Sequence, residues 1–256
     1  ADELNRNIRE LTDFTASFLN KDHLGKFIAH YVVMNETFKN LMILRPYQYF
    51  ATEAIIKHVI SGSDNGYIWH TTGSGKTLTS FKASQIVMDL PGVHKVVFVV
   101  DRKDLDYQTM KEYDKFEKGA ANSNTSTSVL KKQLEDPGVR IIITTIQKLS
   151  VLIKKQKGNP VFAKRFVIIF DECHRSQFGE MHKAITRTFK KYHLFGFTGT
   201  PIFAENSSGN GRADLKTTEQ AFGKKLHSYT IVDAITDNNV LPFRIDYVAT
   251  MREDEN

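Results

Sequence analysis

Five short apolar runs, at 67–69, 96–100, 141–143, 167–170 and 194–197, punctuate the middle of the chain. They are continuously apolar and rich in Val, Ile and Phe, the pattern of parallel strands buried on both faces. Helical stretches separate them, and strand–helix alternation predicts an α/β fold with an open, mostly parallel sheet flanked by helices. Upstream, Leu4, Ile8, Leu11, Phe14 and Phe18 recur at helical spacing, as do Leu24, Phe27, Ile28 and Tyr31. They predict an all-helical preface, residues 1–40, packed on the sheet domain. In "LRPYQYFATEAIIKHVISG", Pro46 suits the first turn of a helix and Gly62 its end. The polar, breaker-rich runs "NSNTSTS" (122–128) and "ENSSGNGR" (205–212) read as loops, the second disordered. There is no internal repeat.

Each apolar run is followed at once by polar or glycine-rich residues: "HTTGSGKT", "DRKDL", "TTIQK", "DECHRS" and "TGTP". Ligands of open α/β sheets sit beyond the carboxyl ends of the strands, so these five segments are expected to gather on one rim. In "TTGSGKT" (71–77), Gly73 and Gly75 allow a tight turn with backbone N–H groups aimed at an anion, and the following helix adds its positive end. Thr72, Gly73, Ser74, Gly75, Lys76 and Thr77 are therefore candidate nucleotide-binding residues, with Lys76 reaching the β- and γ-phosphates and Thr77 ligating Mg²⁺. His70 stands where the pattern expects glycine. Downstream, "FVIIFDECH" delivers two acids to the rim: Asp171 to hold Mg²⁺ and Glu172 to polarise the water that attacks the γ-phosphate. An exposed acidic turn is the rival reading. No Asn-Lys-x-Asp guanine reader follows the loop, and 65 residues precede "GYIW", which argues against a small GTPase and a nucleoside kinase.

Composition sharpens this modestly. The 256 residues are 41% hydrophobic and 25% charged, ordinary for a globular protein, with a net charge of +6 that favours polyanion partners. No apolar run is long enough to span a bilayer, and the N-terminus lacks a signal-peptide layout. The single cysteine, Cys173, excludes an internal disulfide and fits a reducing compartment, so a cytoplasmic location with no membrane partner is expected. The missing initial Met and the ending "MREDEN" suggest a piece of a longer protein.

"GSGKT", "DECH" and "TGTP", in that order and spacing, resemble the first RecA-like lobe of superfamily 2 helicases and translocases. More narrowly, "RPYQYFATEAI", "VVFVVDRKDLDYQT", "FDECHRSQFG" and "TEQAFGKKLHSYTIVDAI" resemble the motor subunit of type I restriction endonucleases over roughly residues 40–245. The resemblance implies a RecA-like P-loop lobe over 41–215 and a connection toward a second lobe over 216–256. It implies ATP and Mg²⁺ as cofactors, and as partners double-stranded DNA and the methylation and specificity subunits of the complex. It implies that Gln48 reads adenine, that Arg102, Lys103, Thr144 and Thr145 touch the nucleic-acid backbone, and that Thr198 and Thr200 couple ATP state to DNA grip. His174 would link the hydrolytic centre to "TGTP". The rivals are an exposed helical glutamine, a solvated basic turn, a plain strand-end threonine pair and a capped turn. A zinc site from Cys173, His174 and His182 is a further alternative, and "KKQKG" (154–158) reads as a solvated turn.

No second lobe and no nuclease Glu-x-Lys element in a strand context is recognisable here. The 256 residues alone are thus expected to bind ATP weakly and hydrolyse it hardly at all. The implied function is ATP-dependent translocation of double-stranded DNA before cleavage by a nuclease outside this stretch. Another superfamily 2 helicase, or a nucleotide-gated binding module, is the alternative.

Overall fold

The computed structural model describes residues 1–62, 65–100, 103–116, 122–175, 180–204 and 217–244, apart from the side chains of 103–108 and of Arg175. Arg102 and the 205–212 run lie outside the described residues, as does the side chain of Lys103.

All five predicted strands form, as β3 (Gly66–His70), β4 (Lys95–Val100), β5 (Ile141–Thr145), β6 (Arg165–Phe170) and β7 (Lys191–Thr198). A sixth, β8 (Lys224–Tyr229), joins them in one sheet of order β5-β4-β6-β7-β3-β8, with every pairing parallel. Successive side chains on each strand serve opposite cores. Val96, Phe98, Val167, Ile169, Phe195 and Phe197 pack under α3 (Pro46–Ser61), α4 (Lys76–Met88) and α5 (Lys103–Phe116). Val97, Val99, Phe166, Ile168, Phe170 and Leu194 face the other way. There they meet α6 (Thr127–Glu135), α7 (Ile146–Lys155), α8 (Glu180–Thr188) and α9 (Thr218–Phe222). Burial on both faces is why these strands read as unbroken apolar runs. Helix α3 starts at Pro46 and ends with Gly62 in the left-handed conformation at φ 67°, as its sequence predicts.

The first forty residues are not all helical. Only α1 (Leu11–Ser17) and α2 (Lys21–Tyr31) form, and α1 buries nothing. Leu4 and Ile8 fall outside any helix; around Leu4, Asp2 captures the backbone N–H groups of Leu4 and Arg6, each at 2.9 Å, a local bond that competes with the helical ladder. After α2 the β-branched pair Val32–Val33 opens an antiparallel hairpin of β1 (Val32–Asn35) and β2 (Asn40–Ile43). The Asn35 side chain accepts from Phe38 N at 3.0 Å and Lys39 takes a φ of 52°, closing the turn.

The 122–128 run is also more than a loop. Asn122 bridges to Ile142, Asn124 is buried, and Ser126 caps α6 by accepting from Val129 N. Beyond β8 the chain turns through α10 (Ile231–Thr236). Among the described residues, no helix is long and apolar enough to cross a membrane.

Candidate active site

Strand β3 delivers residues 71–75 to the rim and α4 leaves from it. Gly73 and Gly75 adopt φ of 80° and 76°, left-handed values that a side chain resists. Gly75 occupies the cap position of α4 without a side chain, so the first N–H groups of the helix meet no capping oxygen from it. A Cβ on Gly75 would come to 2.6 Å from Gln48 Nε2. A turn of N–H groups at a helix start, with Lys76 beside it, is a cradle for a polyphosphate.

Asp171 and Glu172 arrive from β6, two places away in the sheet order. Asp171 N donates to Val99 O at 3.0 Å, which extends the ladder one residue past the strand. Glu172 then takes a φ of 43°, a strained value for a residue with a side chain, and its N–H donates back to Asp171 Oδ1 at 3.0 Å. This turn aims two consecutive carboxylates apart. Glu172 Oε1 lies 3.4 Å from Lys76 Nζ, and Lys76 Nζ also donates to His70 O at 3.5 Å. Burial pushes the Asp171 carboxyl up to about 6, the neighbouring Glu172 adds to the rise, and Lys76 offsets part of it. Lys76, Asp171 and Glu172, 95 residues apart in sequence, are thus brought to one place.

The coupling candidates converge as well. His174 Nδ1 stands 2.9 Å from Thr198 Oγ1 and 3.5 Å from Glu172 Oε2. Thr200 N donates to the same Thr198 hydroxyl at 3.0 Å. A continuous polar path therefore runs from Glu172 through His174 and Thr198 into the "TGTP" turn.

Gln48 is buried, not exposed on its helix. Its Nε2 donates to Ser74 O at 3.1 Å and Gly75 O at 3.3 Å, while Oε1 accepts from Arg45 N at 2.9 Å. In this arrangement the carboxamide braces the glycine loop from behind. Tyr47 does the same, donating to Ser74 O at 2.9 Å and stacking on Tyr229 with centroids 3.6 Å apart. Tyr229 O in turn accepts from Thr71 N at 2.9 Å. The non-glycine His70 is accommodated because its ring points away from the loop into the protein, 3.0 Å from His227 Nδ1. Burial, then His227 and Lys76, push its pKa well down, so it sits neutral. Neither Tyr47 nor Tyr229 was singled out by the sequence. Their only signal is an aromatic beside Gln48 and another ending β8, pairing that a linear reading does not reveal.

The Thr144 and Thr145 hydroxyls are engaged inside the protein. Both are buried: the Thr144 hydroxyl donates to Asn124 Oδ1 at 2.9 Å, and Thr145 caps α7 by accepting from Lys148 N at 3.3 Å. Asn124 also donates to Ile143 O at 3.0 Å, so the pair anchors the 122–128 segment to β5. Cys173 and His182 do not form a metal site with His174. Cys173 is buried against Gly196, and its thiol is pushed well up by burial, then by Asp171 and Glu172. His182 lies between the rings of Phe170 and Phe222, and burial brings it down to about 4. Among the described residues no group of three His, Cys, Asp or Glu side chains could hold a metal ion. The Thr77 hydroxyl and the Asp171 carboxylate are hard oxygen donors that suit Mg²⁺ carried in with a polyphosphate.

The SWI2/SNF2 ATPase family matches residues 47–256. An endonuclease subunit of a type I restriction enzyme from Staphylococcus saprophyticus is 48% identical over 254 residues, covering 98% of this chain and 27% of its own length. The C-terminal part of a putative type I restriction enzyme endonuclease from Mycoplasma pneumoniae is 44% identical over 204 residues, 74% of this chain and 98% of that relative. Among solved structures, a nuclease-deletion mutant of the Type ISP restriction-modification enzyme LlaGI, in complex with a DNA substrate mimic, shares the fold. It superposes with a TM-score of 0.58 at 21% identity, over 77% of this chain and 21% of that one. The chain therefore spans about a quarter of the length of its staphylococcal relative. It belongs to the SWI2/SNF2 ATPase family, among the endonuclease subunits of type I restriction enzymes.

Proposed function

We propose that this chain is the ATP-hydrolysing part of a motor that pulls double-stranded DNA through a type I restriction-modification complex in the cytoplasm. In this reading, residues 41–215 are the first RecA-like lobe, 1–40 a connecting segment and 216–256 the way into a second lobe. Methylation and specificity subunits are the partners. The observation that carries it is the 3.4 Å approach of Lys76 to Glu172, beside a glycine loop at the start of a helix.

ATP is the nucleotide that an ATPase family implies. Backbone N–H groups of 73–77 bind its phosphates, and Lys76 Nζ leaves Glu172 to join them. Thr77 and Asp171 would hold Mg²⁺, which would supply charge neutralisation at the phosphate oxygens. Glu172, released from Lys76 and steadied by His174, orients the attacking water and accepts its proton at a carboxylate oxygen. Thr198 and Thr200 sense that change through His174 and pass it to the "TGTP" turn. Gln48 and Tyr47 keep the loop in shape throughout. Lys103 and Arg102 are assigned to the DNA side; Thr144 and Thr145 are not, because they are buried.

Lys76→Ala in the full-length protein, assembled with its partner subunits, tests the reading. ATP-dependent displacement of a triplex-forming strand from duplex DNA is expected to stop, while subunit assembly is unchanged. Continued displacement at the wild-type rate would contradict the proposal.

A further inference from the structure

The net charge of +6 is not spread evenly. Residues 154–165 contain five Lys or Arg and residues 187–191 contain three, with no Asp or Glu in either stretch. The fold joins them. Lys190 N donates to Phe162 O at 2.9 Å, and Arg165 pairs with Lys191 where β6 and β7 begin. Lys154, Lys155, Lys157, Lys164, Arg187, Lys190 and Lys191 are all exposed, and among the described residues none is in an ion pair. Within this surface Asn159 Nδ2 donates to Glu135 Oε1 at 3.1 Å. A groove of about 650 Å³ opens in this surface, lined in part by Asn65, Arg165, Lys190, Lys191 and Tyr192.

Helix dipoles account for some of this charge. Lys154 and Lys155 lie in the last turn of α7 and Arg187 in that of α8, where cations complement the carbonyl ends. Lys190 Nζ donates to Arg187 O at 3.3 Å, a carbonyl of the last turn of α8, so its charge is partly accounted for in the same way. Lys157, Lys164 and Lys191 lie outside those turns and have no such explanation. The cluster also sits at the amino ends of the strands, whereas Asp171 and Glu172 stand at the carboxyl ends. Strand β6 separates the two edges by about 20 Å, at roughly 3.3 Å per residue.

We infer that the basic cluster at the amino-terminal edge of the sheet is a second docking surface for the phosphate backbone of duplex DNA. This inference rests on the proposal that duplex DNA is the partner. Cations with no interleaved acids suit a uniform polyanion: they attract phosphates without reading sequence.

The test is the salt dependence of binding. Full-length protein carrying Lys164→Gln, Lys190→Gln and Lys191→Gln is compared with wild type for binding a labelled, end-blocked random duplex across a salt series. Each lost phosphate contact flattens the slope of log affinity against log salt by about 0.9, so a slope shallower by about 2–3 is expected. A control triple, Lys21→Gln, Lys39→Gln and Lys57→Gln, makes the same change in net charge at exposed positions elsewhere and is expected to keep the wild-type slope. Equal slopes for wild type and the cluster triple, or equal losses in both triples, would overturn the inference. So would a cluster triple that loses affinity for polyglutamate but not for duplex, since the partner would then be an acidic protein. Failure of the motor reading is separate: it would show as persistent translocation in Lys76→Ala, whatever the slopes.

Discussion

Asp171 shows how one residue's surroundings set its chemistry. Buried at a strand end beside Glu172, it holds its proton up to about pH 6, where the same side chain in the unfolded chain lets go near 3.8. Between those values the folded state binds the extra proton, so this group's contribution to stability falls as pH rises through the window and is level above it. Asp171→Asn removes the buried charge. It is expected to stabilise the fold at about pH 7.5 by on the order of 2 kcal/mol, and to give little at about pH 4. Urea melts of variant and wild type at the two pH values measure this, and equal differences at both would contradict it. Lys76 and the glycine loop were legible as residues because their chemistry is local: a loop, a helix start, a cation. The brace behind that loop was not. Gln48, Tyr47 and Tyr229 meet Ser74 and Thr71 only through tertiary contacts. Spacing along the chain carries no trace of them.

At the scale of elements, strands buried on both faces announced themselves, and the partly covered ones did not. Strand β8, "KKLHSY", sits at the sheet edge with its lysines exposed, so it lacks the unbroken apolar run that marked β3 to β7. The β1–β2 hairpin was missed because a helical stripe ending at Tyr31 runs straight into Val32–Val33 without a breaker. Thr144 and Thr145 were legible as strand-end hydroxyls, but whether such groups face a ligand or a helix N-terminus depends on what packs above them. One glycine in β7 is a packing requirement. A Cβ on Gly196 would lie 2.7 Å from Cys173 Sγ and 3.0 Å from the Phe222 ring. Gly196→Ala is expected to cost about 1–3 kcal/mol by overpacking. Because Cys173 follows Glu172, the strain would also disturb the carboxylate turn. A thermal melt reads the first effect, and an unchanged melting temperature would show that the contact yields easily.

For the whole molecule, the sheet divides the charge. Its carboxyl edge gathers the glycine loop, two acids and the His174–Thr198 path, and its amino edge gathers lysines. The motor reading needs the carboxyl edge to turn over ATP with Glu172 as the group that handles water. The most direct measurement is paired ATP binding and ATP turnover in full-length protein carrying Glu172→Gln, with DNA present. The account predicts binding close to wild type and turnover reduced at least about a hundredfold, the lower end of what a positioned base contributes. Turnover at the wild-type rate would contradict it.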